Sequence, residues 1–416
     1  MASKSLPVET LRIGFIGSGF MAKFHLRAMH GVRHSQIAGV YSPTEAHRRA
    51  FAELVNEDEL GPCTVYSSLD ALVTSPEIDA VWVIGPNYTR LETFRRIHAL
   101  VTKGKASLLG VACEKPLSRT IAEGREIVRL AKDANLNHGY LENQLFSTAV
   151  QRGKEIIWRR AVPGSGRPYL ARAAEEHSGP HEPWFWMGNR QGGGVLSDMM
   201  CHSVEVARFL LTKPGEPRSS LKLISASATI GNLKWTRPAY IEKLKNMMGE
   251  EVDYGKRPAE DFARGTLILE DPEGQQVMIE ATTSWAYVGA GMRIQLELLG
   301  PEYSMEFSSL NTGLKVFMSR EMSGEKGEDL VEKQMAEQGL MPVLEDEPGV
   351  YGYVNENRHM VGAFRKGETP METFDDGLAV VEILMALYHS AETGQVVKFP
   401  VTDLENYVPM VARTDE

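Results

Sequence analysis

The sequence predicts an α/β fold with a doubly wound parallel sheet in its first part and a mainly antiparallel, α+β arrangement in its second part. Up to about residue 145, short apolar runs alternate with stretches of helical periodicity, which is typical of strands joined by helices. After about residue 165, strand-like runs follow one another with turns between them. A length of 416 residues suits two domains, which we expect at 1–145 and 146–416.

In the first part, every apolar run except the last is followed by a stretch with helical spacing. The predicted strands are 11–16, 36–41, 80–84, 107–113 and 137–141. The predicted helices are 22–29, 46–54, 90–101 and 121–134. Strands that alternate with helices in this way form parallel sheets.

In the second part, turns separate the apolar runs. The predicted strands are 222–230, 261–269, 276–284, 293–299, 303–307 and 315–318. Helices are expected at 356–364 and 375–393, and the segment 375–416 is expected to pack back on the first domain. Two polar segments, 234–258 and 323–347, are predicted to be surface insertions, with a lid over the active site as the alternative.

Composition and charge narrow the class of protein. A formal net charge of -10 without any basic run argues against nucleic-acid binding. The cysteines Cys63, Cys113 and Cys201 are too widely spaced for a zinc site or a disulfide framework, so we expect no metal and a reducing cytoplasm. We also expect neither export nor a membrane segment, because the N-terminus lacks an apolar core and no long apolar run occurs.

A glycine-rich turn follows the first predicted strand. In Gly17-Ser18-Gly19-Phe20-Met21-Ala22, Gly17 permits a tight turn and Gly19 lets the backbone approach a pyrophosphate. Phe20 and Met21 lie just before the following helix, whose N-terminus favours phosphate. The pattern predicts dinucleotide binding, although the same turn without further motifs suits an ordinary structural role equally well.

The end of the second strand leaves the choice of dinucleotide open. Ser42 and Thr44 present hydroxyls where a carboxylate commonly binds the adenosine ribose. A 2′-phosphate needs a cation, and the candidates are His47, Arg48 and Arg49 on the next helix. NAD and NADP are both compatible with this pattern.

Two further motifs follow apolar strands at their carboxyl ends, where parallel sheets bind ligands. They are Pro86-Asn87 and Glu114-Lys115-Pro116. A lysine held in a dry pocket can stabilise the negative charge that develops on a substrate oxygen. The alternatives are an ordinary proline turn and a surface lysine before a helix.

The run Gly192–Gly194 leads into a predicted helix that carries Asp198 and His202 one turn apart. Histidine titrates near neutrality and can take a hydroxyl proton while hydride leaves the carbon, and aspartate can orient the substrate. The alternative is a capping aspartate beside a half-buried histidine. A zinc site would need a third ligand, which the sequence does not indicate.

Polar and aromatic residues are concentrated upstream of that helix. Aromatic faces pack against sugar C–H groups, and carboxylates or imidazoles bind hydroxyls. A buried aromatic core between domains is an equally good interpretation. The candidate carbohydrate-binding residues are Asn143, Glu176, His177, His181, Trp184 and Trp186.

Taken together, these motifs resemble the Gfo/Idh/MocA family of glucose-fructose oxidoreductases and inositol dehydrogenases. The resemblance implies a Rossmann domain followed by an open-faced sheet domain, a catalytic group of Lys115, Asp198 and His202, and a cis bond at Lys115-Pro116. It also implies hydride transfer between a nicotinamide and a secondary hydroxyl or ketone of a sugar, cyclitol or sugar acid. Many members carry a histidine where this chain has Arg90, and the acidic residue of the second strand is missing.

Two other functions compete with this one. The first is an oxidoreductase of another carbonyl or imine that keeps its cofactor tightly bound, and the second is a non-catalytic dinucleotide sensor. The presence of Lys115, Asp198 and His202 together argues against a sensor, which would need none of them. An exposed sheet face favours a homodimer or homotetramer.

Overall fold

The chain is divided into two compact units. The computed structural model describes residues 6–319 and 339–413. The first unit comprises Met1–Phe146 and Tyr351–Val381, and the second comprises Ser147–Val350 and Glu382–Glu416. The segment that returns to the first unit is therefore 351–381, whereas the sequence suggested 375–416.

The first stretch of the chain alternates strands and helices. Its strands are β1 (Leu11–Ile16), β2 (Ser35–Tyr41), β3 (Thr64–Val65), β4 (Ala80–Val83), β5 (Gly110–Glu114) and β6 (His138–Leu141). Its helices are α1 (Phe20–Met29), α2 (Glu45–Glu57), α3 (Leu69–Val73), α4 (Asn87–Thr102) and α5 (Ile121–Asp133).

The remaining chain contains a long buried helix and all seven strands of the second sheet. Its helices are α6 (Thr148–Ile156), α7 (Val162–Ser165), α8 (Gly188–Gln191), α9 (Val195–Leu211), α10 (Pro238–Met248), α11 (Glu347–Val350), α12 (Tyr353–Lys366) and α13 (Phe374–Thr393). Its strands are β7 (Leu170–Glu176), β8 (Lys222–Gly231), β9 (Phe262–Glu270), β10 (Gln276–Ser284), β11 (Arg293–Gly300), β12 (Tyr303–Ser308), β13 (Leu314–Met318), β14 (Gly339–Val343) and β15 (Val397–Lys398).

The first unit is built on a six-stranded parallel sheet. The strand order is β3-β2-β1-β4-β5-β6, which confirms the doubly wound sheet. The order reverses between β1 and β4, and the carboxyl ends of strands at such a reversal form the usual ligand crevice. Both β4 and β5 are buried along their whole length, as expected for a sheet covered on both faces.

Helix α12 completes the core of the first unit. Its Met360 and Phe364 are fully buried in the same apolar cluster as Phe15 and Trp82. A Cβ at Gly110, the first residue of β5, would lie 2.5 Å from the Phe364 ring. The sheet and the late helix therefore fit each other closely at this point.

The second unit is built on a seven-stranded, mainly antiparallel sheet with the order β12-β11-β7-β10-β9-β8-β15. This arrangement confirms the predicted fold class, and β7 with β10 is the parallel pair of this sheet among the described residues. Helix α9 packs on β7 and β10, and every residue of α9 is buried. Along β9 to β11, buried residues alternate with half-buried ones, so the other face is more open.

Most of the polar segment 234–258 is exposed or half-buried, as expected for a surface insertion, and a few buried side chains anchor it. It contains α10, and it buries Trp235, Leu244 and Tyr254. The Asp261 carboxylate fixes its start by accepting backbone N–H bonds at 2.6–2.8 Å, including that of Trp235. Of the second segment, 323–338 lies outside the described residues, and 339–343 forms β14, which pairs with β13.

Across 6–319 and 339–413, no helix combines the length and the apolar composition that crossing a membrane requires.

Candidate active site

The glycine turn between β1 and α1 is shaped to receive a phosphate. Gly17 has a φ of +124°, and a Cβ there would lie 3.0 Å from backbone atoms of Ile84 and Gly85. A Cβ at Gly19, by contrast, would meet no atom of the described chain within 4 Å. The first turn of α1 has no side-chain cap and no acidic residue. An anion can therefore approach the N-terminal N–H groups of α1, which begins with Phe20 and Met21.

The hydroxyls at the end of β2 are tied to this turn. Ser42 is buried, and its Oγ accepts a 2.9 Å hydrogen bond from Ser18 of the glycine turn. Thr44 lies at the N-terminus of α2. Arg48 is buried and donates to the carbonyls of Ser42 and Pro43 at 2.9 and 3.2 Å. One of the three candidate cations, Arg48, is therefore committed to fixing this loop.

Arg90 has a role that the sequence did not reveal. It is 3% exposed on α4, just after Pro86 and Asn87. Its guanidinium donates to the carbonyls of Gly85, Lys115 and Pro116, at 3.3 Å for the first and 3.1 Å for the second. One side chain thus joins the loops after β4 and β5. The Lys115-Pro116 bond is cis, as the resemblance implies.

A buried chain of hydrogen bonds leads from the core to the Lys115 backbone. Trp82 Nε1 donates to Asn357 Oδ1 at 3.0 Å, and Asn357 Nδ2 donates to His25 Nδ1 at 2.9 Å. His25 Nε2 then donates to Glu114 Oε1 at 2.9 Å, and Glu114 Oε2 accepts the Lys115 N–H at 2.9 Å. This order assigns the His25 proton to Nε2.

The charge of Glu114 is stabilised by its neighbours. Burial acts to raise the pKa of Glu114, but the hydrogen bond from His25 and the charges of Lys115 and Arg90 lower it below its ordinary value. The pKa of Glu356 is raised well above its ordinary value by burial and by the charges of Glu114 and other carboxylates. The cluster therefore holds Glu114 ionised beside a neutral acid.

In the second unit, a buried clamp holds the start of α9. The Tyr388 hydroxyl donates to Glu260 Oε1 at 2.6 Å, and both oxygens accept the Gly194 N–H, at 2.9 and 3.0 Å. A Cβ at Gly194 would lie 2.6 Å from the Glu260 carboxyl group, and one at Gly193 would overlap the Tyr388 hydroxyl. The glycine run therefore makes room for the clamp.

Burial raises the pKa of Glu260 to about 7, while its hydrogen bonds with Tyr388 and with backbone N–H groups act to lower it. Glu260 Oε1 also accepts the Leu196 N–H at 3.0 Å. The carboxyl group that caps α9 thus titrates near neutrality.

Asp198 and His202 lie one turn apart on α9 and are 4% and 3% exposed. Asp198 Oδ2 accepts a 3.2 Å hydrogen bond from Trp285 Nε1. Lys115 belongs to the first unit and this pair to the second. The convergence of all three on one substrate stays a prediction.

The predicted carbohydrate-binding residues have different surroundings. Trp186 is 2% exposed and packs against Trp235 and Trp285 at ring distances of 5.1 Å, so the core interpretation applies to it. Glu176 forms an ion pair with Arg293 on the adjacent strand. Both side chains are thus engaged within the protein, and their contact with a substrate stays a prediction.

The other candidates lie in or near the loop after β7, except for Asn143. His177 is buried, and its Nδ1 accepts the Gly179 N–H at 2.9 Å. His181 and Trp184 are half-buried, and Trp184 stacks on Phe185. Asn143 lies in a 3-10 turn after β6 and donates to the Tyr351 carbonyl at 2.7 Å. His181 and Trp184 therefore remain the more accessible candidates.

Two family models match the two sheets. Residues 11–140 match the one described as an oxidoreductase family with an NAD-binding Rossmann fold. Residues 164–306 match the GFO/IDH/MocA C-terminal domain. Together they cover well over half of the 416 residues.

Individual proteins resemble parts or all of the chain. Levoglucosan dehydrogenase of Pseudarthrobacter phenanthrenivorans is 27% identical over 49% of this chain and 52% of its own length. Inositol 2-dehydrogenase of Agrobacterium fabrum is 28% identical over 49% of this chain and 54% of its own. The chain thus spans about half the length of these curated relatives. The solved structure of GenD2 from gentamicin A biosynthesis, in complex with NAD, shares the fold, with a TM-score of 0.74, 23% identity and coverage of 96% of this chain and 99% of that one.

Proposed function

Since this chain belongs to the Gfo/Idh/MocA family of oxidoreductases, we propose that it transfers hydride between a nicotinamide dinucleotide and a secondary hydroxyl or ketone of a sugar, cyclitol or sugar acid. Its first unit contains the NAD-binding Rossmann domain of that family. The observation that carries the proposal is the fixed setting of Lys115, whose backbone is held by Arg90 and Glu114 at the carboxyl end of β5. The names of the relatives, levoglucosan dehydrogenase and inositol 2-dehydrogenase, support the substrate class.

The residues of the first unit fit a dinucleotide. The open side of Gly19 and the uncapped start of α1 suit a pyrophosphate, and the bound dinucleotide would supply the hydride acceptor or donor. Arg48 is bound to backbone carbonyls, so it is not kept ready for a 2′-phosphate. This arrangement favours NAD over NADP. The residues that would hold it are Gly17, Gly19, Phe20, Met21, Ser42, Thr44, Pro86, Asn87, Glu114 and Lys115.

In the proposed reaction, three side chains act on the substrate or its oxygen. His202 takes the hydroxyl proton, because an imidazole ordinarily titrates close to working pH. Lys115 stabilises the negative charge that develops on that oxygen. Asp198, oriented by Trp285, positions the substrate or the imidazole. His181 and Trp184 are the first candidates for contacts to the other hydroxyls.

A substrate screen tests the proposal. Sugars, cyclitols and sugar acids are supplied with NAD and with NADP in parallel, and the absorbance of the reduced nicotinamide is followed. We expect turnover with at least one member of these classes and a higher kcat/KM with NAD. The matched control is Lys115→Ala, which should turn over slowly. NAD binding without turnover of any compound would favour the sensor, and turnover of a carbonyl or imine outside these classes would favour the other alternative.

We also propose that the protein is cytoplasmic and forms a homodimer or homotetramer. All three cysteines are free and buried, which supports a reducing cytoplasm. The half-buried residues of β9 to β11 on the more open sheet face support a homodimer or homotetramer. Light scattering of the purified protein gives the mass, and a monomer at micromolar concentration would contradict the assembly.

A further inference from the structure

A cationic cavity lies at the carboxyl-terminal end of α1, within the first unit. Its volume is about 530 Å³, and its walls come from the loop after α1 and from α12. None of the described residues that line it is acidic, although the whole chain has a formal net charge of -10. Its cationic and potentially cationic side chains are Arg33, His34, Arg358, Arg365 and Lys366.

The charges of this cavity are fixed in place without being neutralised. Arg358 donates to the Gly31 carbonyl at 2.9 Å and to the Asn355 amide oxygen at 2.6 Å. Arg365 donates to the Val8 carbonyl at 3.0 Å. These acceptors are uncharged, so both guanidinium groups keep their net charge while losing mobility.

The remaining cations lie at the rim. Lys366 has Glu368 at 3.7 Å, and both side chains are more than half exposed, so this pair is weak. Within the described parts of the chain, Arg33 and His34 take part in no ion pair. The cavity therefore offers preorganised guanidinium groups at its wall and mobile cations at its edge.

Gly362 keeps the cavity open. It lies in the interior of α12, where glycine costs about 0.5–1 kcal/mol relative to alanine. A Cβ at this position would meet no described atom within 4 Å, so neither close packing nor a positive φ explains the glycine. Its structural effect is to leave space beside the arginines.

We propose that this cavity binds a small polyanion, namely a metabolite that carries two or more phosphate groups. A guanidinium group can bind two oxygens of one phosphate through two parallel N–H bonds. The lining also carries four cations, Arg33, Arg358, Arg365 and Lys366, which is more positive charge than a single monoanion would neutralise. The volume lies in the range of small-molecule sites. The site is distinct from the dinucleotide turn, because the ten residues of α1, about 15 Å, separate the two. It does not depend on the proposed hydride transfer.

Calorimetric titration with tripolyphosphate tests the proposal. The protein is first saturated with NAD, so that the dinucleotide turn is filled. We expect one saturable site per chain whose affinity falls as ionic strength rises. The double variant Arg33→Glu with Lys366→Glu should weaken binding by at least about tenfold, because it removes two charge-assisted contacts. NAD affinity should stay that of the parent.

The matched control is a double variant with the same change in net charge at positions outside the cavity. Lys222 and Arg264 are exposed in the second unit, and Lys222→Glu with Arg264→Glu should leave tripolyphosphate binding unchanged. Gly362→Leu should also weaken binding by at least about tenfold, since the side chain fills the cavity. Its melting temperature should not fall, because leucine is the better helix former.

Three results would overturn the proposal. One is a parent protein without saturable tripolyphosphate binding at millimolar concentration. Another is parent affinity in the double variant at Arg33 and Lys366. The third is binding of phosphoinositide vesicles or an oligonucleotide, lost in that variant, without binding of tripolyphosphate, which would show that the site serves a macromolecular surface.

Discussion

At the scale of single residues, the chemistry of the proposed site depends on which group moves the proton. An imidazole has an ordinary pKa near 6.5, whereas a lysine ammonium, near 10.4, must be shifted by several units before it can exchange a proton at neutral pH. This difference favours His202 for proton transfer and Lys115 for stabilising the alkoxide.

We therefore expect His202→Ala to lower turnover by about a hundredfold or more while NAD binding persists, the usual scale for loss of a general acid or base. The lower limb of the pH-rate profile should disappear with the imidazole. Steady-state kinetics over a pH series, together with NAD titration, make the measurement. Parent turnover in His202→Ala beside an inactive Lys115→Ala would reverse the two roles.

Arg90 provides a second test at this scale. Arg90→Met leaves the buried carbonyls of Gly85, Lys115 and Pro116 without their donor, which should cost about 1–3 kcal/mol in the free energy of unfolding. Turnover should fall as well, because the Lys115 backbone loses its support. Urea unfolding and steady-state kinetics measure the two effects. The control is Arg95→Met on the same helix, whose solvent-screened pair with Glu126 should contribute little to stability.

At the scale of elements, the junction of β1 with α1 should determine cofactor binding. Because a Cβ at Gly19 meets no described atom, Gly19→Val should fold normally yet place a side chain where a pyrophosphate must approach. We expect NAD binding to be abolished with little change in melting temperature. Gly164→Ala, another position with open space around its Cβ, is the control. Parent affinity for NAD in Gly19→Val would mean that the turn is not the phosphate site.

The start of α9 should make stability depend on pH. The Glu260 pKa is about 7 in the folded protein against an ordinary 4.5, so folding favours the protonated form. Its contribution is complete below about pH 4.5 and is lost as pH rises through about 7, by about 3 kcal/mol at most. In Glu260→Gln this part of the pH dependence should vanish. Urea unfolding of both proteins between pH 4.5 and 8 measures it, and identical pH dependence in the two would contradict the assignment.

Much of the secondary structure follows from local periodicity, and the rest depends on distant partners. The strands from 11–16 to 137–141 and the helix at 375–393 were predictable because apolar spacing there matches the observed burial. The strand β7 was missed, since Leu-Ala-Arg-Ala-Ala-Glu-Glu has few β-branched residues and owes its form to pairing with β10 and β11. The helix α10 was missed because it has several charged residues and only two buried ones, Leu244 and Met248, so its apolar periodicity is weak.

The residues of the candidate site likewise divide into those that local sequence identifies and those that depend on distant partners. Motif spacing identified Lys115, Asp198 and His202, and the glycine turn was apparent from its position after β1. Arg90, Glu260 and Tyr388 carried no local signal, because their partners described above, except Gly85 beside Arg90, lie 25 to 194 residues away in sequence. Trp186 could not be assigned from sequence, since aromatic residues serve a core and a sugar pocket equally well.

At the scale of the whole molecule, the first unit is discontinuous in sequence. A fragment of residues 1–146 lacks Met360, Val361 and Phe364, which are buried in its core. Each large apolar side chain removed from a core costs about 2–5 kcal/mol, so the loss is comparable with the whole stability of a domain. We expect the fragment to show no cooperative thermal unfolding, whereas a fusion of 1–146 to 351–381 through a flexible linker should recover it. Circular dichroism of both proteins is the measurement, and a cooperative transition in the short fragment would contradict the prediction.

Because the first unit is discontinuous in sequence, its second portion is translated well after its first. Roughly 200 residues, 147–350, are translated between the two portions of the first unit. At about 5–20 residues per second, the nascent sheet waits about 10–40 s for α12 to emerge. During that interval Trp82 lacks the Asn357 hydrogen bond and Phe15 lacks part of its apolar cover. The newborn chain is thus exposed to aggregation for the whole of that delay, and chaperones that shield nascent sheets should raise its yield.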